Sequence, residues 1–471
     1  MGRREAWDAI VVGSGLSGIL VAETLCASGW RCLVLEAGPL PGPGGRSALD
    51  AAARSLEFTE VDEASWSFRS NRPFDWRRVR AGGGRSLIWG GWCIPPEPSC
   101  LLEARQQGAT WPLDFAELAP FVDPVARFLR VKKTRLHPRL RALGDALGIE
   151  LAGKQGSTSP RDGGPVISLE QRRKAKLRAH AVVLRVVRDD TGAAAGVEVA
   201  AGASGETEVL RARVVVLAAS PVESARIVHQ SDPRGIGAVD GPLGRGLVDH
   251  MASTFWVIND EPPPPQLLIG PHDRAAWSIA RWGKGDDGGA FVLEVFGPLK
   301  LSAFDDAWLA AVGVDRRDAE SLSAFMVYTA AAATPTPRRR VTFDAAQRDA
   351  HGRPVPVLQL AWSARDRIVA GRIDRAARLA AEGLGETGRI IRFRDPLDPG
   401  GIGHEAGTCR MGVGDDSVTD RFGEVRGIPR LFVADGSILP CLFGRHPTWT
   451  LLAMSLRVAD TIGRRGRRTE L

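Results

Sequence analysis

A strand that ends in a glycine-rich turn and runs on into a helix leaves a chain few alternatives. Here Asp8-Ala9-Ile10-Val11-Val12 is an apolar run leading into Gly13-Ser14-Gly15-Leu16-Ser17-Gly18. Beyond it Ile19, Leu20, Ala22, Leu25 and Cys26 recur at helical spacing as far as Gly29, and Cys32-Leu33-Val34-Leu35-Glu36 makes a second strand. The spacing predicts a β-α-β unit, the context in which this glycine pattern has meaning. Gly13 allows the tight turn, Gly15 lets backbone approach a pyrophosphate, and Gly18 lets helix and strand pack closely. The turn, with Ser14 and Ser17, offers backbone N–H groups and a helix dipole to phosphates. Glu36, with Ala37 beside it, is placed to accept hydrogen bonds from ribose hydroxyls. These residues predict a dinucleotide site without separating FAD from NAD.

Bulk properties narrow the class. At 471 residues, with 44% hydrophobic and 25% charged side chains, two globular domains are expected. No run of about 18 apolar residues offers an integral membrane segment. Arg3-Arg4 is similar to the start of a twin-arginine export signal, but Glu5-Ala6-Trp7-Asp8 is no apolar signal core, so a cytoplasmic location is expected. Six cysteines show no C-x-x-C pair and no metal-ligand spacing with histidine, which predicts buried thiols in a reducing compartment and no metal site. The net charge of +7 comes from scattered basic clusters, Arg77-Arg78-Val79-Arg80, Gln171 to Arg178, Arg338-Arg339-Arg340 and Arg464 to Arg468. Without aromatic interleaving they predict solvated surface and no nucleic-acid partner.

Along the chain, residues 38–47 form a glycine- and proline-rich loop, and Gly82-Gly83-Gly84-Arg85-Ser86 is a second glycine cluster. A helix is expected over 114–131 and strands over Ala179 to Val187, Gly196 to Ala200 and Arg213 to Ala218, with a helix from Pro221 to His229. From Ser253 to Arg394 short apolar runs alternate with Pro- and Gly-rich turns such as Pro262 to Pro265, which suits an antiparallel sheet with covering helices, one of them at 366–383.

The far end of the chain carries a second constellation: His404-Glu405-Ala406-Gly407-Thr408-Cys409-Arg410-Met411-Gly412, then Val433-Ala434-Asp435-Gly436-Ser437, then His446-Pro447-Thr448. Together with the N-terminal turn, Gly83-Gly84-Arg85-Ser86-Leu87-Ile88-Trp89 and Gly244-Arg245-Gly246-Leu247-Val248-Asp249-His250, these segments resemble the glucose-methanol-choline (GMC) oxidoreductases, an FAD-dependent, alcohol-oxidising family. Trp111-Pro112 and Glu117-Leu118-Ala119-Pro120-Phe121 are similar to the branch with pyranose oxidases, C-glycoside oxidases and sugar-acid dehydrogenases.

The resemblance implies an α/β fold: a discontinuous Rossmann-like FAD domain (1–249 and 396–471) and an α+β substrate domain on an antiparallel sheet (250–395). It implies that His404 and His446, 42 positions apart, meet beside the flavin, His404 in the place of the catalytic base. Alcohol oxidation requires the hydroxyl proton to leave as hydride moves to flavin N5, and an imidazole can accept it. The second histidine can fix the angle of the same oxygen. Pro447 and Thr448 open a helix whose dipole favours a reduced flavin anion. Asp435 and Gly436 are implied against the ribityl-pyrophosphate, Val183 near adenine, and Gly84 and Ser86 along the phosphates or flavin ring. His250 is expected to be structural, and His137, His180, His229, His272 and His351 to be packed or surface side chains. Some relatives bond a histidine to the flavin where this chain has Ile88, so non-covalent FAD is expected. Only about forty residues separate Val131 from the strand near Ala179, which predicts an open entrance. The expected partner is a small-molecule alcohol, a sugar, glycoside or polyol, with oxygen or another acceptor taking the electrons. The alternative reading is a lyase that uses FAD as a scaffold.

Overall fold

The computed structural model describes residues 6–40, 68–157 (except 75 and 77), 175–201, 206–262, 275–281, 290–468 (except 386 and 387) and 470–471. Most of the 38–47 loop and the proline run, part of the basic segment at 171–178, Arg77, His272 and much of the stretch between Val131 and Ala179 lie outside the described residues.

The opening motif forms as its periodicity predicts. Strand β1 (Trp7–Val12) leads through the turn into helix α1 (Leu16–Ala27) and strand β2 (Cys32–Leu35). Four further strands complete the path of the first sheet: β3 (Lys176–Arg178), β4 (Ala181–Arg188), β5 (Ala194–Ala201) and β6 (Glu206–Leu217). Their order is β3-β2-β1-β6-β5-β4, and the late strand Leu431–Val433 also pairs with β6. The centre is parallel: Val12 stands opposite Leu35 on one side and Leu217 on the other. Strands covered on both faces read as unbroken apolar runs, as Ile10-Val11 and Val214-Val215-Val216 do.

β6 is longer than the apolar run alone predicts. Its first half, from Glu206, is antiparallel to β5, and only its second half joins β1. Burial alternates in the first half and becomes continuous in the second. Glu208, Leu210 and Ala212 are the more covered positions and Thr207, Val209 and Arg211 the exposed ones, the two-residue period of a strand with one face to solvent.

The expected 114–131 helix is broken. Phe115–Leu118 and Val122–Leu129 are α-helical, with a 3₁₀ turn at Ala119–Phe121 between them. Pro120 lies inside that turn, where it lacks the N–H that a continuous helix would use. Helix α2 (Pro221–Ser231) follows β6 directly.

The second sheet is antiparallel and built from β7 (His250–Asn259), β8 (Ala275–Arg281), β9 (Ala290–Lys300), β10 (Ser323–Ala332) and β11 (Arg389–Arg394). Their order is β11-β7-β10-β9-β8, extended at the β8 edge by Ala152–Gly153. Helix α3 (Ala364–Glu382) covers β7 and β10, burying Val369, Ile373 and Ala377. A capping box of Ser363 and Asp366 starts it. The register sets Glu294 opposite Tyr328 and Phe296 opposite Met326, two pairs on one face of the sheet. Helix α4 (Thr448–Arg467) returns to the first sheet and packs on α1.

Candidate active site

A cavity of about 690 Å³ lies between the first sheet and the Glu294–Tyr328 face of the second. Gly13, Ser14, Gly15 and Ser17 line it, as do Glu36, Ala37 and Val183. So do Gly84 and Ser86, Asp435 and Gly436, and finally His404, His446, Pro447 and Thr448. Of the expected site residues only Gly18 stands off the cavity, and its work is packing. A Cβ there would lie 2.0 Å from the Gly13 carbonyl oxygen. Gly13 itself has φ +101°, with Ala218 O at 2.4 Å from any added Cβ. Gly15 is different, with open space at its Cα, so its backbone can meet a ligand directly.

Glu36 does more than wait for a ribose. Its Oε2 accepts from Ser14 N (3.1 Å) and Ser14 Oγ (2.5 Å), and Oε1 accepts from Gly38 N (2.9 Å). The carboxylate therefore braces the turn from behind while Oε1, which accepts a single bond, keeps a further lone pair for a hydroxyl. Asp435 is equally committed: Oδ1 accepts from Ser437 N (2.9 Å) and Oγ (2.5 Å), and Oδ2 from Ser224 Oγ (2.5 Å). An open glycine, a braced carboxylate and two helix starts along one cavity, within the roughly 300–1,000 Å³ usual for ligand sites, fit FAD.

The histidines come from separate elements. His404 follows Gly403, whose carbonyl accepts from Arg85 Nη1 at 2.5 Å; Arg85 also pairs with Glu405. The backbone N–H of His404 donates to Asp249 Oδ1 (3.2 Å), which also accepts from His250 N (2.7 Å). His446 follows the buried Arg445, whose Nη1 donates to Pro95 O at 2.9 Å; Glu103 in turn accepts from Gly444 N at 2.9 Å. Pro447 holds the position just outside α4, and Thr448 is the first helical residue, one step from the expected arrangement.

The His404 and His446 rings meet nearly at right angles, 5.1 Å apart at their centroids, with His404 Nε2 3.4 Å from His446 Nδ1. His446 Nε2 lies 2.5 Å from Glu294 Oε1, and its ring runs parallel to those of Trp92 and Tyr328. On the other side His404 Nδ1 lies 3.1 Å from His250 Nδ1, and His250 Nε2 lies 2.7 Å from the Phe443 carbonyl. Burial, followed by the neighbouring His250 and His446, holds the His404 pKa well below 6.5. Burial likewise takes His250 down to about 4 and, with Glu405 nearby, raises Asp249 to about 7. Away from this cluster, His137 accepts from Arg139 N and His229 donates to Gly237 O, both local contacts.

Several lining residues had no assignment from sequence. Glu294, Trp92 and Tyr328 bound the chamber around His446, with Phe296, Met326 and Ile402 beside them. Glu294 did carry a signal: it is the lone charge inside Ala290-Phe291-Val292-Leu293-Glu294-Val295-Phe296, and a buried charge demands a partner. Two basic clusters also depart from the solvated surface expected of them. Arg78 lines the cavity, stacked 4.2 Å over the Trp76 ring, and burial lowers its pKa to about 10. Arg339 is buried over the Trp362 ring at 4.6 Å. Aromatic stacking makes such burial tolerable for a planar guanidinium.

A sheet with a parallel centre and its glycine turn, with a second sheet closing a dinucleotide-sized cavity, defines a Rossmann-type dinucleotide-binding architecture. Models of the GMC oxidoreductase family match residues 166–252 and 335–455, and a NAD(P)-binding Rossmann-like domain model matches residues 11–70. Paromamine 6'-oxidase of Streptomyces fradiae is 27% identical over 97% of this chain and 91% of its own length. C-glycoside 3-oxidase of Microbacterium trichothecenolyticum is 31% identical over 60% of this chain and 52% of its own. The crystal structure of pyridoxine 4-oxidase from Mesorbium loti shares the fold, with a TM-score of 0.68 at 18% identity over 97% of this chain and 99% of that one. The chain belongs to the GMC oxidoreductase family and is an FAD-dependent alcohol oxidoreductase. Among the described residues no helix is long and apolar enough to cross a membrane.

Proposed function

We propose that this enzyme oxidises a hydroxyl of a sugar, glycoside or related polyol to a carbonyl, with His404 as the base and His446 as its partner. The observation that carries the proposal is the 3.4 Å approach of His404 Nε2 to His446 Nδ1 at the wall of the cavity. FAD, when bound, supplies the hydride acceptor. His404, held neutral by its surroundings, takes the hydroxyl proton at Nε2. His446, anchored by Glu294, fixes the direction of the substrate oxygen, and misdirection of a reacting atom by about 1 Å is enough to cost 100-fold in rate. The dipole of α4 favours negative charge at its start, beside Pro447 and Thr448. Gly13 to Ser17, Glu36, Ala37, Val183, Gly84, Ser86, Asp435 and Gly436 would hold the cofactor.

The substrate class rests on the chamber and on the relatives. Aromatic Trp92, Phe296 and Tyr328 beside the carboxylate of Glu294 suit a ring with apolar faces and hydroxyl edges. Relatives named as oxidases of paromamine and of C-glycosides favour the same class. Ile88 on the cavity wall offers no nucleophile, which supports FAD that is released intact on denaturation. A cytoplasmic setting is supported by six free cysteines, five of them buried. The two sheets support a division into 1–249 with 396–471 and 250–395.

The test is anaerobic reduction of the purified yellow protein with a panel of sugars, glycosides, polyols and simple alcohols, followed by air. Bleaching by a sugar or polyol is expected, and reoxidation in air separates oxidase from dehydrogenase. Failure of every alcohol to bleach the flavin, with cyanohydrin cleavage instead, would overturn the redox reading.

A further inference from the structure

We infer that His250 is a positioning residue that sets the tautomer of His404, and with it the atom that receives the substrate proton. The inference rests on His404 being the base, and it follows from hydrogen-bond chemistry read outward from one fixed end. That end is the Phe443 carbonyl, which can only accept. His250 Nε2, 2.7 Å away, must therefore carry a hydrogen. A neutral imidazole has one N–H, and burial holds His250 neutral, so its Nδ1 is a lone pair. His404 Nδ1 lies 3.1 Å from that lone pair and must supply the hydrogen between them. His404 Nε2 is then bare, and it is the nitrogen turned towards His446 and the substrate chamber.

The opposite end of the row agrees. The carboxylate of Glu294 accepts from His446 Nε2, so His446 meets His404 Nε2 through Nδ1 alone. The bare Nε2 of His404, 3.4 Å from that nitrogen, is left to take the hydrogen that an alcohol brings. Asp249 holds the arrangement in register, because one oxygen takes the backbone N–H of both His250 and His404. His250 is 3% exposed and is not among the residues lining the cavity, so it acts through His404 and not on the substrate. The sequence expectation of a structural role for His250 is thereby given a chemical content.

The experiment is ¹⁵N NMR of histidine-labelled holoenzyme, with His404 assigned by its loss in His404→Ala, alongside anaerobic reduction kinetics. In the wild type, His404 is expected to carry its hydrogen on Nδ1 and none on Nε2. His250→Leu should mix the tautomers and slow flavin reduction about 10- to 100-fold at unchanged KM and unchanged flavin absorbance. His250→Asn, whose amide oxygen can stand where Nδ1 was, should restore the Nδ1–H signal and most of the rate. A wild-type His404 protonated on Nε2 would overturn the inference. So would the shifts of a cation shared by Asp249, His250 and His404, whose ligand atoms lie within 4.8 Å of one another. Should His250→Leu fail to hold FAD, the wild-type spectrum and His250→Asn decide. Undiminished reduction by His404→Ala would sink the base assignment alone, leaving the tautomer result standing.

Discussion

The glycine turn and the carboxylate that braces it fall between Gly13 and Gly38, with Ala218 O packed against Gly13, whereas the imidazole row is assembled from residues 250, 294, 404 and 446. The turn acts through backbone: close approaches at Gly13 and Gly18, an open Cα at Gly15, and one carboxylate bracing it. The imidazole row acts through side-chain atoms, each aimed by a partner on another element. The difference teaches where each region is vulnerable. The turn is expected to fail by steric exclusion and lose cofactor or fold, and the row to fail by misdirection and lose rate with the cofactor still in place.

The largest effect that could break this contrast is at His404. His404→Ala is expected to slow anaerobic flavin reduction about 10²- to 10⁴-fold while the bound-FAD spectrum stays, as stopped-flow absorbance would show. A colourless protein would instead place His404 with the cofactor-holding groups.

Two alanine substitutions sharpen the other side. Gly18→Ala forces a Cβ to 2.0 Å from a backbone oxygen, and a thermal melt should show a loss of about 1–3 kcal/mol or more. Gly15→Ala meets no protein atom within 4 Å, so the apoprotein should melt as wild type while a titration shows weaker FAD binding. Equal behaviour of the two would mean that the turn does not divide packing from binding.

A smaller effect is expected at Glu294. Glu294→Gln keeps the shape but removes the charge that holds His446 Nε2, and reduction should slow about 10- to 100-fold with FAD affinity unchanged.

The smallest effect is in the pH profile. A folded pKa well below 6.5 means that His404 takes up a proton only in more acid solution, so the acid limb of the reduction rate lies below that pH. At pH 6.5 the rate should stand near its plateau, whereas an ordinary imidazole would give about half of it.

Legibility in the sequence followed the range of the interactions. The β1-α1-β2 unit was readable because its apolar periods and its glycines are local, and α3 and α4 were found for the same reason. The start of β6 was missed because Glu206 to Arg211 form no apolar run, and the alternation there lies in burial and not in residue type. The break at Pro120 overrode an otherwise helical stripe. Arg339 looked like surface charge because nothing local announces that Trp362 will cover it, and Arg78 because Trp76, two residues away, does not by its presence say that the pair turns inward.

By itself, the sequence determined the nucleotide turn, the identity of the two histidines that face the chamber, and the family to which both belong. A glycine needs no distant partner to be the residue without a side chain, so its consequences can be read in place. Only the tertiary structure decided which nitrogen of His404 is bare, that Glu294 holds His446, and that Glu36 braces the turn it serves. Each depends on a hydrogen bond between residues far apart in the chain, and a hydrogen bond exists only where folding brings donor and acceptor within about 3 Å.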